Sequence, residues 1–201
     1  MADATRIEPL HALDLAQTRA SVVIAQVGPD DLPRPTPCTE WSVRDVLNKL
    51  VASTMVFTAF ARREVPDATL DLVNPRELIG DDPLGLYLDV ALACRQAWRA
   101  PGALEGNAPS TVGEFPAKAV LNARIFDTTV LTTDVARACS LDHGIDEPQA
   151  AYVLRVAERL VPTVRAVNPA RYQDATPTKS TDAIDQLLAV TGRDLAWVAP
   201  Q

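Results

Sequence analysis

Apolar residues return every three to four positions along most of this chain, and that spacing constrains its fold more than any other feature. Leu10, Leu13, Ala16, Ala20, Ile24 and Val27 form one stripe, which Gly28-Pro29 terminates. After a proline-rich link over residues 32–37, Ser42 reads as an N-cap with Asp45 at the third helical position. That capping box opens a second helix over residues 43–64. Residues 65–82 read as an irregular connection. Asp82-Pro83 starts a third helix, with proline where its missing N–H costs nothing, and Leu84, Tyr87, Leu88, Ala91, Cys94 and Trp98 carry it to about Ala100. Residues 101–116 form a Pro/Gly-containing loop, of a length often used for lids or pocket walls. A fourth helix covers residues 117–139. Four long helices with no period-2 strands among them specify an all-α four-helix bundle.

The last sixty residues follow a different pattern. Pro148 opens a fifth helix that Pro162 ends or kinks, residues 171–174 are extended or irregular, and residues 181–190 make a short helix before Gly192. The expected organisation is a bundle over residues 1–140 with an extension, 141–201, packed on it. A chain of 201 residues buries roughly 70% of its unfolded surface, enough for one substantial core.

Composition excludes several classes of function. A net charge of −7 disfavours nucleic acid, whose phosphates require a basic face, and Arg62-Arg63 is the only adjacent basic pair. No apolar run approaches the ~20 residues of a membrane span, and the first residues lack the basic and apolar regions of a signal peptide, so a cytoplasmic location is expected. Three cysteines without CxxC spacing argue for reduced thiols. No Gly-rich phosphate loop or Gly-x-Ser-x-Gly elbow is present.

Two segments, Pro35-Thr-Pro-Cys-Thr-Glu-Trp-Ser-Val-Arg-Asp-Val-Leu-Asn-Lys-Leu50 and Ala123-Arg-Ile-Phe-Asp-Thr-Thr-Val-Leu-Thr-Thr-Asp-Val-Ala-Arg-Ala138, carry a family resemblance. With the closing stretch Leu187-Leu-Ala-Val-Thr-Gly-Arg-Asp-Leu-Ala-Trp197, they resemble the actinobacterial branch of the DinB superfamily, which includes mycothiol-dependent maleylpyruvate isomerase-like proteins. The resemblance implies a DinB-like bundle and a thiol-linked isomerase, S-transferase or hydrolase with three metal ligands. The family pattern has His, an acid and a second His at those places. Here they are Lys49, Asp127 and Leu131. Leucine coordinates nothing, and lysine ligates only when deprotonated, against its usual pKa. The expectation is therefore that the family metal site is lost, with no metal and no cofactor. A displaced site using His11 or His143 is the alternative.

Lys49 shares a helical row with Val46, Ser53, Val56 and Phe60, and Asp127 shares one with Ala123, Val130 and Leu131. Charges set in apolar stripes need partners. Lys49 and Asp127 are expected to pair across the bundle as a polar centre, the ammonium standing in for the metal's charge. The competing reading is a structural pair, or a Lys49 that extends outward to water. Asn48, Arg124, Thr128 and Thr132 are candidate substrate-binding neighbours, with Leu131 beside them; Thr and Arg also commonly satisfy their own backbone. Cys38 and the three tryptophans read as packing residues. The functional expectation is a small-molecule ligand in the former metal cleft, acted on by a metal-independent isomerase, lyase or cyclase of specialised metabolism. A catalytically silent ligand- or partner-binding protein is one alternative, and a thiol-dependent transferase or isomerase with a displaced metal site is another. A homodimer is the expected assembly, with no nucleic-acid or membrane partner.

Overall fold

A computed structural model describes residues 7–38, 40–168 and 172–200. Its long helices are α1 (Pro9–Ile24), α2 (Val43–Arg62), α3 (Pro83–Arg99), α4 (Ala117–Ala138) and α5 (Glu147–Val167), followed by the short α6 (Ala183–Val190). A single 3-10 turn, Pro29–Asp31, follows α1. Around the bundle, α1 touches α3 and α4, and α2 touches the same two, so α1 and α2 lie diagonally opposite. Among the described residues the fold is all-α apart from one small hairpin.

The local signals act as the sequence implies. Ser42 caps α2 by accepting from the Asp45 N–H, while the Asp45 carboxylate accepts from the Ser42 N–H at 2.9 Å. Such a cap contributes about 1 kcal/mol. Asp82 caps α3 by accepting from the Gly85 N–H at 2.8 Å, with Pro83 in the first turn. The apolar stripes then meet in two adjoining cores. One gathers Leu13, Phe57, Phe60, Trp98, Leu121 and Ile125; the other gathers Val43, Leu47, Leu50, Tyr87, Leu131 and Val135.

Three expectations are corrected. Residues 101–116 are not simply a loop: β1 (Asn107–Ser110) and β2 (Gly113–Pro116) form an antiparallel hairpin pairing Asn107 with Pro116 and Ser110 with Gly113. Its turn is tied by the Ser110 hydroxyl, which donates to the Gly113 carbonyl at 2.7 Å. Of the two alternatives for Pro162, ending the helix is overturned: α5 continues through it to Val167. Finally, α1 stops at Ile24, one turn before Val27.

Beyond the bundle, α5 packs on α4 and α6 packs on α5. The closing stretch is fastened to α4 by Arg137. Its guanidinium donates to the carbonyls of Asp194, Leu195 and Trp197 at 3.0, 3.2 and 2.8 Å and stacks 5.6 Å from the Trp197 ring. Among the described residues no helix is long and apolar enough to cross a membrane.

Candidate functional site

A cleft of about 480 Å³ opens where α2, α4, the residues Pro37, Cys38, Glu40 and Trp41 ahead of α2, the connection after α2 and the closing stretch converge. Lys49, Asp127 and Leu131 all line it. Helical geometry explains the meeting: Lys49 lies two turns into α2, and Asp127 and Leu131 stand one turn apart on the facing side of α4.

Lys49 and Asp127 make no direct salt bridge with each other, and each has other partners. Lys49 is half-buried; its Nζ donates to the Leu72 carbonyl at 2.9 Å and lies 4.7 Å from the Trp41 ring centroid. A cation over an indole face is attracted by the ring quadrupole. Asp127, with 16% of its side chain exposed, accepts from the fully buried Arg124 guanidinium at 3.1 Å on the same helix. Arg124 also donates to the Ser53 hydroxyl across the α2–α4 interface. The cleft thus presents a carboxylate paired with a buried guanidinium and an ammonium held by a backbone carbonyl and an indole ring.

The remaining candidate residues are not at the cleft surface. Asn48 is buried and spends its amide on the connection after α2. Its Oδ1 accepts from the Leu78 and Ile79 N–H groups at 2.7 and 3.1 Å, and its Nδ2 donates to Glu77 at 3.2 Å. One residue along a helix is a rotation of roughly 100°, which turns Asn48 away from the side that carries Lys49. Thr128 and Thr132 are buried, and each hydroxyl donates to the carbonyl four residues back, at 2.8 and 2.7 Å. Arg124 acts through Asp127 rather than by lining the cleft.

Several residues at the cleft carried no functional assignment in the sequence. Arg193, from the Thr-Gly-Arg-Asp stretch, lines the cleft and engages Asp134 of α4: Nε lies 2.9 Å from Oδ1 and Nη2 lies 2.7 Å from Oδ2. Asp134 is fully buried. Burial opposes the charge on Arg193, but the Asp134 carboxylate outweighs it and raises the guanidinium pKa further. Cys38 sits against the same pair, 3.5 Å from Asp134 Oδ2 and 3.4 Å from Arg193 Nη2. Burial, followed by the Asp134 carboxylate, pushes its thiol up to about 12, so it is a protonated donor and not a nucleophile. Trp41, Phe126 and Tyr172 supply aromatic wall. Gly192 allows the closing stretch to approach: at φ +79°, a Cβ there would lie 2.8 Å from the backbone oxygens of Gln173 and Asp174.

The three positions where the resemblance implies ligands offer a poor donor set for a metal ion. Of the three positions where the resemblance implies ligands, Asp127 alone carries a donor for a cation, and it already accepts from Arg124. Elsewhere, His11 is exposed on α1, and the His143 Nδ1 accepts from the Ile145 N–H at 3.0 Å. Among the described residues no three His, Cys, Asp or Glu side chains gather as a cation site.

Comparison with known proteins places this geometry in a family. Two uncharacterized proteins of Mycobacterium tuberculosis, one from each of two strains, are 25% identical over 188 residues, covering 93% of this chain and 98% of theirs. Two crystal structures of the mycothiol-dependent maleylpyruvate isomerase, one of them of a point mutant, share the fold. Their TM-scores are 0.59 and 0.56 at 13% and 14% identity, over 74% of this chain. The match spans 66% of the length of each of those isomerase chains. The profile of the mycothiol maleylpyruvate isomerase N-terminal domain matches residues 13–136, from α1 to the end of α4, and the chain belongs to that DinB-like family.

Proposed function

We propose that this protein binds a small organic anion in the cleft beneath Trp41 and acts on it without a bound metal, as an isomerase, lyase or cyclase of specialised metabolism. The observation that carries the reading is the convergence of Lys49, Asp127 and Leu131 on one cleft. The family's structural neighbours are described as mycothiol-dependent, and the donor set in this chain does not suit the metal that the resemblance implies. A fixed ammonium takes over the task of attracting an acidic substrate. A ligand carboxylate exchanges with the Leu72 carbonyl for the Lys49 N–H groups, and the same charge stabilises negative charge developing on a substrate oxygen. The Asp127 carboxylate, steadied by Arg124, receives and returns the proton that an isomerisation or elimination moves.

One observation favours a second reading, a catalytically silent binding protein: both charged groups already have protein partners, Leu72 for Lys49 and Arg124 for Asp127. The readings separate by NMR of a bound acid after incubation. Chemical change that is lost in Lys49→Ala and Asp127→Asn supports catalysis, whereas unchanged acid supports binding alone. Turnover that persists in both variants removes the roles given to these residues.

A further inference from the structure

A second and larger cavity, of about 1080 Å³, lies where the start of α1, the hairpin, the first turns of α4 and the outer side of α5 meet. α5 faces it with Pro148, Tyr152, Val156, Leu160 and Thr163, at intervals of three or four residues. At 1.5 Å per residue that stripe extends about 22 Å. It is distinct from the buried stripe of Ala150, Val153, Ala157, Val161 and Val164 on the same helix. Leu10, Leu104 and Phe115 supply apolar wall from the facing elements.

The charge in this groove runs against that of the whole chain. Lys118 in the first turn of α4, and Arg155 and Arg159 one turn apart on α5, all line it, although the chain carries −7. None of the three forms a salt bridge or side-chain hydrogen bond among the described residues. Glu8 and Glu147 also line the groove, leaving the cations one ahead. The Tyr152 hydroxyl, at the groove, donates to Asn122 Oδ1 at 2.6 Å. Long apolar floor with cations set beside it is the complement of an aliphatic chain with an anionic head.

We infer that this groove binds a single-chain aliphatic anion, its hydrocarbon along the α5 stripe and its carboxylate or sulfate head at Arg155, Arg159 and Lys118. The inference does not depend on the reading of the cleft. The head chemistry is shared by free fatty acids and by anionic lipid in a bilayer; the concave groove selects the free molecule.

The test is calorimetric titration of the full-length protein with octanoate, decanoate and dodecanoate below their micelle concentrations. Saturable binding at one site is expected, tightening about fourfold per added methylene. Decyltrimethylammonium is expected to bind at least tenfold more weakly than decanoate. Arg155→Glu/Arg159→Glu, at two exposed positions, weakens dodecanoate at least tenfold, while Lys49→Ala leaves it unchanged. Val156→Asn, checked for native circular dichroism, flattens the chain-length dependence. The inference is overturned by absence of saturable binding, by equal binding of the cationic amphiphile, or by indifference to the charge-reversed pair. Loss of binding in Lys49→Ala would move the amphiphile to the cleft and overturn it. So would association with anionic phospholipid vesicles without binding of monomeric dodecanoate.

Discussion

Replacing Arg193 by methionine removes the cation that neutralises Asp134 while keeping most of the aliphatic volume. In the native protein the carboxylate is fully buried, 11% of the arginine side chain is exposed, and three N–H···O contacts of 2.7 to 3.2 Å join them. Breaking a buried pair from one side leaves an uncompensated charge and costs about 3–5 kcal/mol. For a chain of this length each kcal/mol corresponds to about 2–4 °C, so the melting temperature falls by roughly 6–20 °C. The partial exposure of Arg193 favours the lower part of that range, since water at the cleft edge can solvate the orphaned carboxylate. Urea denaturation followed by the fluorescence of Trp41, Trp98 and Trp197 reads the change directly. Arg193→Met/Asp134→Leu should recover most of the loss, because no charge then remains buried. A single-variant cost below about 1 kcal/mol, or a double variant as unstable as the sum of both singles, refutes the reading of Arg193 and Asp134 as a buried, mutually neutralising pair.

Two other outcomes follow from the same region. Gly192→Ala should destabilise the fold by about 1–3 kcal/mol, because the added methyl meets Gln173 and Asp174 at 2.8 Å in a left-handed conformation; an unchanged denaturation midpoint contradicts this. Stability should also fall in alkali. Burial raises the thiols of Cys38 to about 12 and Cys139 to about 11, and that of Cys94 as well. In the unfolded chain they titrate near 8.5. Above that pH the unfolded state holds fewer protons than the native state, so stability is full below about pH 8 and declines progressively towards pH 11. Denaturation midpoints measured from pH 7 to 10.5 check this, and Cys38→Ser should shallow the decline; a flat profile would contradict it.

The bundle was legible because its signals are local and redundant. Ser42 with Asp45, Asp82 with Pro83, and stripes such as Leu10 to Ile24 each specify an element without reference to the rest of the chain. The hairpin was not legible. Its strands, Asn-Ala-Pro-Ser and Gly-Glu-Phe-Pro, contain prolines, lack alternation and bury little beyond Ala108 and part of Phe115. Pro162 does not stop α5, because a proline's missing N–H is tolerable when burial of Val161 and Val164 holds the helix. At the site, helix rows brought Lys49, Asp127 and Leu131 to one cleft, but sequence spacing does not say which neighbour faces it. Asn48 turned to the connecting segment, and Thr128 and Thr132 turned to their own backbone. Arg193 and Cys38 depend on a contact with Asp134 across the fold; all three lie in the segments that carry the family resemblance, but sequence spacing does not show that they meet.

The central claim is that the ammonium of Lys49, and not a metal ion, draws an organic anion into the cleft. It is tested most directly by calorimetric titration of chelator-treated, full-length protein with maleate, fumarate and benzoate. At least one of these acids should bind saturably after chelation. A charge-assisted hydrogen bond contributes about 1.5–3 kcal/mol, so Lys49→Ala should weaken that binding roughly 10- to 100-fold. Binding that returns only when a divalent metal is added, or that is unaltered in Lys49→Ala, would contradict the account.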